Sequence, residues 1–526
     1  MILPGLNTIN KNVISVQDFL GYNHNLIIED NEFYHTKNIT MDHYPIMTQR
    51  DPRGTLRTIT KPNGLYAKEV LYWVDGTDLY RDGEIIGQVE DSKKQFASMG
   101  AYLLIFPDKL IYNTNDGTLS PMENRTEFSG TVQLEMANLT ESEQNTTEYA
   151  MFLKITAAGI GKGFKQFDGV EISGFPKSEL NKTAILYEVA DDYVLIIGEI
   201  EDPEEIECSI TLERKTPEME FFTESMNRLW GCSSKNHEIY ACKLGDPTNW
   251  YAYEGISTDS YAVTIGSDGE FTGACTYLGY VLFFKENTIH KIMGNKPSNY
   301  EVMEQRGRGV EAGSEKSLVI VNETLYYKAR TGIVAYQGAS ATSISDAFGT
   351  VKYKNAVAGV YGNKYYVSMD DGEAHSLFCY DETKGAWVRE DDTHILYAVN
   401  LNNMLYYIDD KGVLKSIIGN DDEAISWEAA SGDIFVSGKR KYVGRMDLRV
   451  NLEKESFLEI WISYDNSELW ERVKTITALK GRAYDIPVRP RRCDHFRIKM
   501  KGVGKCNVYA LEKTIEIGSV VNVDNK

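Results

Sequence analysis

Val70-Leu-Tyr-Trp-Val-Asp-Gly-Thr-Asp-Leu-Tyr80 sets two short apolar and aromatic runs on either side of an Asp-Gly turn, which is the pattern of a β-hairpin. The unit returns at Ala101-Tyr-Leu-Leu-Ile-Phe-Pro-Asp-Lys-Leu-Ile-Tyr112, Tyr280-Val-Leu-Phe-Phe-Lys-Glu-Asn-Thr-Ile-His290 and Glu323-Thr-Leu-Tyr-Tyr-Lys-Ala-Arg-Thr-Gly-Ile333. It appears again at Asn363-Lys-Tyr-Tyr-Val-Ser-Met-Asp-Asp-Gly372 and Asn403-Met-Leu-Tyr-Tyr-Ile-Asp-Asp-Lys-Gly-Val413. Adding Asn227-Arg-Leu-Trp-Gly-Cys232 with Glu238-Ile-Tyr-Ala-Cys242 puts hairpins near residues 70, 101, 228, 280, 324, 363 and 403. A hairpin repeated every roughly 30–50 residues marks radially arranged blades, each of which needs a neighbour to bury its faces. The expected fold is all-β: a β-propeller of about seven blades, with strands from the chain ends available to complete one of them.

At 526 residues the chain exceeds the roughly 250–300 at which a single core stops growing, so added domains are expected. Residues 1–63 read as an irregular segment packing on the propeller, 64–127 as its first blades and 218–439 as the remaining ones. Between 128 and 217 the aromatic hairpin disappears. Runs such as Tyr193-Val-Leu-Ile-Ile-Gly198 and Cys208-Ser-Ile-Thr-Leu-Glu-Arg214, with the polar turn Glu141-Ser-Glu-Gln-Asn-Thr-Thr147, suggest an inserted small β domain. From 440 to 526 apolar and polar positions alternate, as in Phe457-Leu-Glu-Ile-Trp-Ile-Ser-Tyr464 and His495-Phe-Arg-Ile-Lys-Met500. That alternation suits a C-terminal β-sandwich with one wet face per sheet.

Net charge is −21, unevenly spread: residues 441–526 hold 17 Lys and Arg against 12 Asp and Glu, a balance of +5 on an otherwise acidic chain. An acidic body disfavours tight binding of nucleic acid, because phosphates meet like charge. Seven scattered cysteines without a Cys-x-x-Cys pair suggest neither a disulfide framework nor a zinc site, and fit a reducing compartment. The start Met1-Ile-Leu-Pro-Gly-Leu-Asn7 lacks the charged head and apolar stretch of a secretion signal, and no apolar run approaches the ~20 residues of a membrane span. Synthesis in a cytoplasm is expected, and the six Asn-x-Ser/Thr triplets then carry no meaning.

No catalytic, cofactor or metal site is expected. Gly159-Ile-Gly-Lys-Gly163 lacks the Ser or Thr of a P-loop and the flanking helix of a dinucleotide fold, and reads as a turn. The eight histidines show no metal-ligand spacing. Asp370-Asp371, Asp391-Asp392, Asp409-Asp410 and Asp421-Asp422 are weighed as glycosidase carboxylates, but the first and third fall at hairpin turns, where Asp serves the backbone. The basic group Arg489, Arg491, Arg492, Arg497, Lys499 and Lys501 is the candidate docking face for an acidic protein partner. The alternative for it is alternating charge on the wet face of a sandwich strand.

Arg228-Leu-Trp-Gly-Cys-Ser233 and Glu238-Ile-Tyr-Ala-Cys-Lys-Leu-Gly-Asp-Pro-Thr-Asn-Trp250 resemble segments of phage packaged-DNA stabilisation, tail-hub or nozzle proteins. So do Tyr44-Pro-Ile-Met-Thr-Gln-Arg50, Pro52-Arg-Gly54, Ser98-Met-Gly-Ala-Tyr-Leu-Leu-Ile-Phe-Pro-Asp108 and Pro490-Arg-Arg-Cys-Asp-His495. The resemblance implies a non-enzymatic structural protein of the virion tail. Its copies would form a homo-oligomeric ring on the DNA ejection path, next to portal, adaptor or other tail proteins, touching the passing DNA only transiently. An acidic lumen suits that role, since it lets a duplex slide. The alternative reading is a carbohydrate-binding or carbohydrate-hydrolysing β-propeller on the virion, drawn from the 33 Tyr and 7 Trp that can stack on sugars and from the acidic residues above.

Overall fold

The computed structural model describes residues 11–137, 152–421, 424–435, 441–465, 467, 469–477, 480–489, 491 and 493–517. The turn at 141–147 and Arg492 lie outside them. Among the described residues the regular structure is antiparallel β with four short 3-10 turns and no α-helix. Among the described residues no helix is long and apolar enough to cross a membrane. The chain divides into two compact units, 61–315 and 1–60 with 316–526.

Unit 61–315 holds four four-stranded meanders. Sheet I is Pro62–Lys68, Val70–Asp75, Asp78–Arg81 and Glu84–Gln88; sheet II is Gln95–Met99, Tyr102–Phe106, Leu110–Asn113 and Leu119–Pro121. Sheet III is Phe221–Ser225, Arg228–Ser233, Glu238–Ala241 and Tyr261–Thr264; sheet IV is Phe271–Tyr277, Tyr280–Lys285, Thr288–Met293 and Glu301–Arg306. Between sheets II and III lies a seven-stranded insert, ordered Thr183–Ile185, Gly169–Ser173, Glu204–Arg214, Asn124–Ala137, Phe152–Thr156, Tyr193–Ile197, Glu188–Ala190. It begins at Asn124, four residues before the expected boundary, because Asn124–Ala137 pairs along its length with Glu204–Arg214, closing on Asn124↔Arg214. Val132, Leu134, Leu153, Ile155, Val194, Ile196, Ile210 and Leu212 fill its own core.

The other unit carries three more meanders. Sheet V is Val319–Val321, Thr324–Ala329, Gly332–Tyr336 and Ala341–Ser343; sheet VI is Lys354–Tyr361, Lys364–Asp370, His375–Asp381 and Ala386–Asp391. Sheet VII takes Ile395–Leu401, Met404–Asp409 and Val413–Ser416 from the late chain and its fourth strand, Gly54–Thr58, from the beginning. Two six-stranded sheets complete this unit. One is built around Lys441–Leu452 and Cys506–Ile517, the other around Phe457–Tyr464 and His495–Val503. Val443, Met446, Leu448, Val450 and Val508 from the first and Leu458, Ile460, Ile462, Phe496, Ile498 and Met500 from the second share one apolar core.

Residues 11–58 differ from the irregular segment expected: Lys11–Val16, His35–Lys37, Ile39–Thr40, Met47–Gln49 and Gly54–Thr58 are strands. They are short and have little hydrophobic pattern of their own, since distant partners set them. Met47 pairs with Val508 and His35 with Ala430. The second late sheet likewise starts earlier than expected, with Ser426–Ala430 paired to His495–Val503.

The quoted hairpins are the second and third strands of their meanders. Those inner strands lie between other strands and between apolar layers, so both faces are covered and every residue from Thr324 to Ala329 and from Lys364 to Met369 is buried. Outer strands such as Glu301–Arg306 and Glu84–Gln88 keep much of their surface in water. This is why only half of each sheet announces itself as a continuous apolar run.

Candidate docking face

His495–Val503 occupies the middle of its sheet, so alternate side chains point in opposite directions. Phe496, Ile498 and Met500 enter the core, which leaves Arg497, Lys499 and Lys501 side by side on the outer face. Each meets an acid there. Arg497 Nε lies 2.5 Å from Asp433 Oδ1, while Lys501 and Lys499 reach the two oxygens of Glu428 at 2.9 and 3.5 Å. Lys499 also lies 4.1 Å above the Trp470 ring. Burial alone would raise the Glu428 carboxyl, but the hydrogen bond from Lys501 and the charge of Lys499 hold it below the ordinary carboxylate range. Arg489 is exposed beyond Arg482–Ile486, and the Arg491 guanidinium sits 5.3 Å over Tyr464. The structure thus brings three of the six basic residues onto one face in mixed-charge pairs and leaves Arg489 exposed apart from them.

Of the acid pairs, Asp370, Asp371, Asp409 and Asp421 are occupied with backbone, and Asp422 lies outside the described residues. Asp370 accepts the Gly372 N–H at 2.6 Å, Asp371 accepts those of Glu373 and Ala374 at 2.9 Å, and Asp409 accepts those of Lys411 and Val413 while pairing with Lys415 at 3.0 Å. Asp421 accepts the Thr55 N–H, helping to seat Gly54–Thr58 in sheet VII. In Gly159–Gly163, the N–H groups of Gly161, Lys162 and Gly159 bond to Asp191 O, Gly159 O and Asp192 Oδ1 at 3.1, 3.3 and 2.8 Å, the geometry of a closed turn.

Of the histidines, His375 and His394 come together, their rings stacked at 3.5 Å with 6° between planes. Burial pushes His35, His290 and His394 below the ordinary histidine value. The unfolded chain therefore binds protons that the native one refuses. Stability is full above the unfolded value of about 6.5 and falls as pH drops below it toward the lowered native values. Thermal unfolding followed from pH 7.5 to 5 is expected to show a declining midpoint, and His290→Gln should flatten the slope, His290 being 1% exposed with Nε2 2.9 Å from Ser267 Oγ.

One cluster joins Asp391 to residues that no sequence spacing connects with it. Arg53, 5% exposed, places Nη2 at 2.8 Å from both Glu390 Oε2 and Asp391 Oδ2, and Nη1 at 2.8 Å from Thr393 Oγ1 and 3.2 Å from Tyr407 Oη. Arg50 approaches Asp391 at 3.7 Å and donates from Nε to Asn38 at 2.8 Å. Burial raises the Glu390 carboxyl against the pull of Arg53. At Asp391 the same burial is outweighed by Arg53, Thr393 and Arg50, and its carboxyl is held low. Lys364 pairs with Asp42 close by in the chain's folded path, Asp42 and Asn38 both coming from the early segment. These contacts fasten residues 38–53 to sheet VI. The acids of the pair Asp391-Asp392 are ion-pair partners, Asp392 joining Arg389 and Lys37.

No protein-family model and no curated protein matches the sequence. Solved structures that resemble it include an exo-β-1,3-galactanase from Phanerochaete chrysosporium (9% identity, 54% of this chain and 93% of that one, TM-score 0.22). Another is PorZ, a bacterial surface component of the type-IX secretion system of Porphyromonas gingivalis (10% identity, 81% and 70%, TM-score 0.27). At such TM-scores the likeness carries nothing about activity.

Proposed function

We propose that the seven meanders form one seven-bladed propeller and that the protein is a structural component of a phage tail, a hub, nozzle or packaged-DNA stabilisation ring. The observation that supports the architectural part is Gly54–Thr58: a strand from the start of the chain completes sheet VII, whose other three strands come some 340 residues later, and such a mixed sheet would fasten the ends of a ring of blades. The tail assignment rests on the phrases given above, among them Arg228–Ser233 and Pro490–His495. Charge supports it. Residues 124–214 hold 18 Asp and Glu against 7 Lys and Arg, and such a wall repels the phosphates of a duplex passing it. In this reading the acidic insert faces the DNA path, and the C-terminal sheets, with Arg489 and Arg491 exposed at their margin, dock to a neighbouring tail or portal protein.

Mass spectrometry and cryo-microscopy of purified virions test the assignment. The polypeptide is expected in tails as a closed ring of copies with seven blades each; particles whose tails lack it would end the proposal.

A further inference from the structure

Residues 165–169 carry the insert toward the long connection that joins Glu238–Ala241 to Tyr261–Thr264, and at their crest stands Phe167. Its φ of 67° lies in the left-handed region, which an aromatic residue seldom adopts, and it is 39% exposed. The conformation is imposed from both sides. Phe167 N–H donates to Leu186 O at 2.6 Å, and its carbonyl accepts from Asn249 Nδ2 at 2.8 Å and from Lys243 Nζ at 3.3 Å. The following residue, Asp168, is 1% exposed and accepts from Arg214 at 2.6 Å and from the Lys165 N–H at 2.9 Å. At Gly169 a β-carbon would fall 2.3 Å from the carbonyl carbon of Tyr251, so only glycine lets the two segments meet. A strained backbone costing on the order of 1–3 kcal/mol persists where its surroundings over-determine it, and such places concentrate at binding sites.

Around the ring stand a donor, an acceptor and a hydroxyl. Lys243 Nζ lies 5.1 Å from the Phe167 centroid and 3.8 Å from Glu254 Oε2. Tyr187 meets Phe167 edge-on, centroids 6.1 Å apart at 82°. Burial, and then the neighbouring Glu254 carboxylate, push the Tyr187 hydroxyl up to about 12, so it stays protonated beside that acceptor. Tyr253, 48% exposed, extends the aromatic surface along the same connection.

We propose that Phe167, Lys243, Glu254 and Tyr187 form a subsite for one pyranose ring of a glycan, with the C–H face of the sugar against Phe167 and its hydroxyls shared between the ammonium and the carboxylate. A pyranose pairs an apolar face with a rim of hydroxyls that both donate and accept, which matches a half-exposed ring bordered by an ion pair. A protein partner matches less well: interface centres are depleted of charge, and a stable interface buries about 800 Å² per partner, far more than one ring and one ion pair supply. The subsite is independent of the tail assignment, since it needs only the fold of unit 61–315.

The test is saturation-transfer NMR of the full chain with cello-, chito-, xylo-, malto- and mannohexaose, followed by titration of whichever binds. At least one hexaose is expected to bind, with Phe167→Ala and Glu254→Gln each weakening it tenfold or more. Phe167→Gly separates binding from folding, since glycine accepts the left-handed backbone freely: it should lose binding to the same degree while its melting temperature holds or rises. Failure of every hexaose to bind the native chain, or undiminished binding by Phe167→Gly, overturns the proposal. So does a sedimentation experiment in which Phe167→Ala dissolves a self-association of the native chain, because the ring then belongs to a protein interface.

Discussion

Arg53→Met is expected to destabilise the unit that contains it by about 3–5 kcal/mol, because it removes the guanidinium paired with Glu390 and leaves Asp391 only the more distant Arg50. Surface ion pairs such as Lys235 with Glu218 are worth little, since water screens them. Arg53 and Glu390 are only 5% and 4% exposed, so water is not there to replace the lost guanidinium. Removing all three charges tests the cause. Arg53→Met with Glu390→Gln and Asp391→Asn should recover much of the loss, because no buried carboxylate is then left without its Arg53 partner. The single variant should also close part of its gap to the native chain as pH falls from 7 to 5, since protonation discharges the stranded acids. Urea unfolding combined with hydrogen exchange at Gly54–Thr58 reads the effect, and a loss below 1 kcal/mol would show that the cluster does not fasten the early segment.

Trp387→Ala should cost a similar amount, about 3–5 kcal/mol, the usual range for truncating a large buried aromatic. Trp387 is 2% exposed, donates its indole N–H to Ile344 O at 2.7 Å, and lies 4.8 Å from Phe348 and 4.9 Å from Tyr380, ring centroid to centroid. Its carbonyl also accepts the Tyr22 N–H, so sheet VI, the end of sheet V and the early segment all converge on one residue. Truncation leaves both a cavity among Phe348, Phe378 and Tyr380 and an unpaired Ile344 carbonyl. Trp387→Phe keeps most of the volume but not the donor, and should lose about 1–2 kcal/mol. Chemical denaturation of the two variants separates these contributions. Equal losses would assign the whole effect to the hydrogen bond.

The two late sheets show how far alternation can be read. Phe457–Tyr464 places Leu458, Ile460 and Ile462 inward and Glu459 outward, and His495–Val503 places Phe496, Ile498 and Met500 inward and Arg497, Lys499 and Lys501 outward, because a strand with one wet face writes that alternation into its own residues. The same spacing is silent about charge balance. Arg497, Lys499 and Lys501 look like a basic stripe until Asp433 and Glu428 arrive from an earlier segment to pair with them. Phe167 was equally hidden, since its exposure and left-handed backbone depend on Leu186, Asn249 and Lys243, none of them a neighbour in sequence.

What the amino-acid sequence determined alone is the all-β character and the positions of the inner hairpins. These follow from interactions within about a dozen residues: apolar runs long enough for one strand, broken by Asp, Asn and Gly that accept turn geometry. Only tertiary structure decided that Gly54–Thr58 would join Val413–Ser416, that Arg53 would meet Glu390, and that residues 11–49 would form strands at all. The strands of the early segment and the Arg53 ion pairs draw their stability from partners hundreds of residues away, so nothing in their own local pattern names the partner.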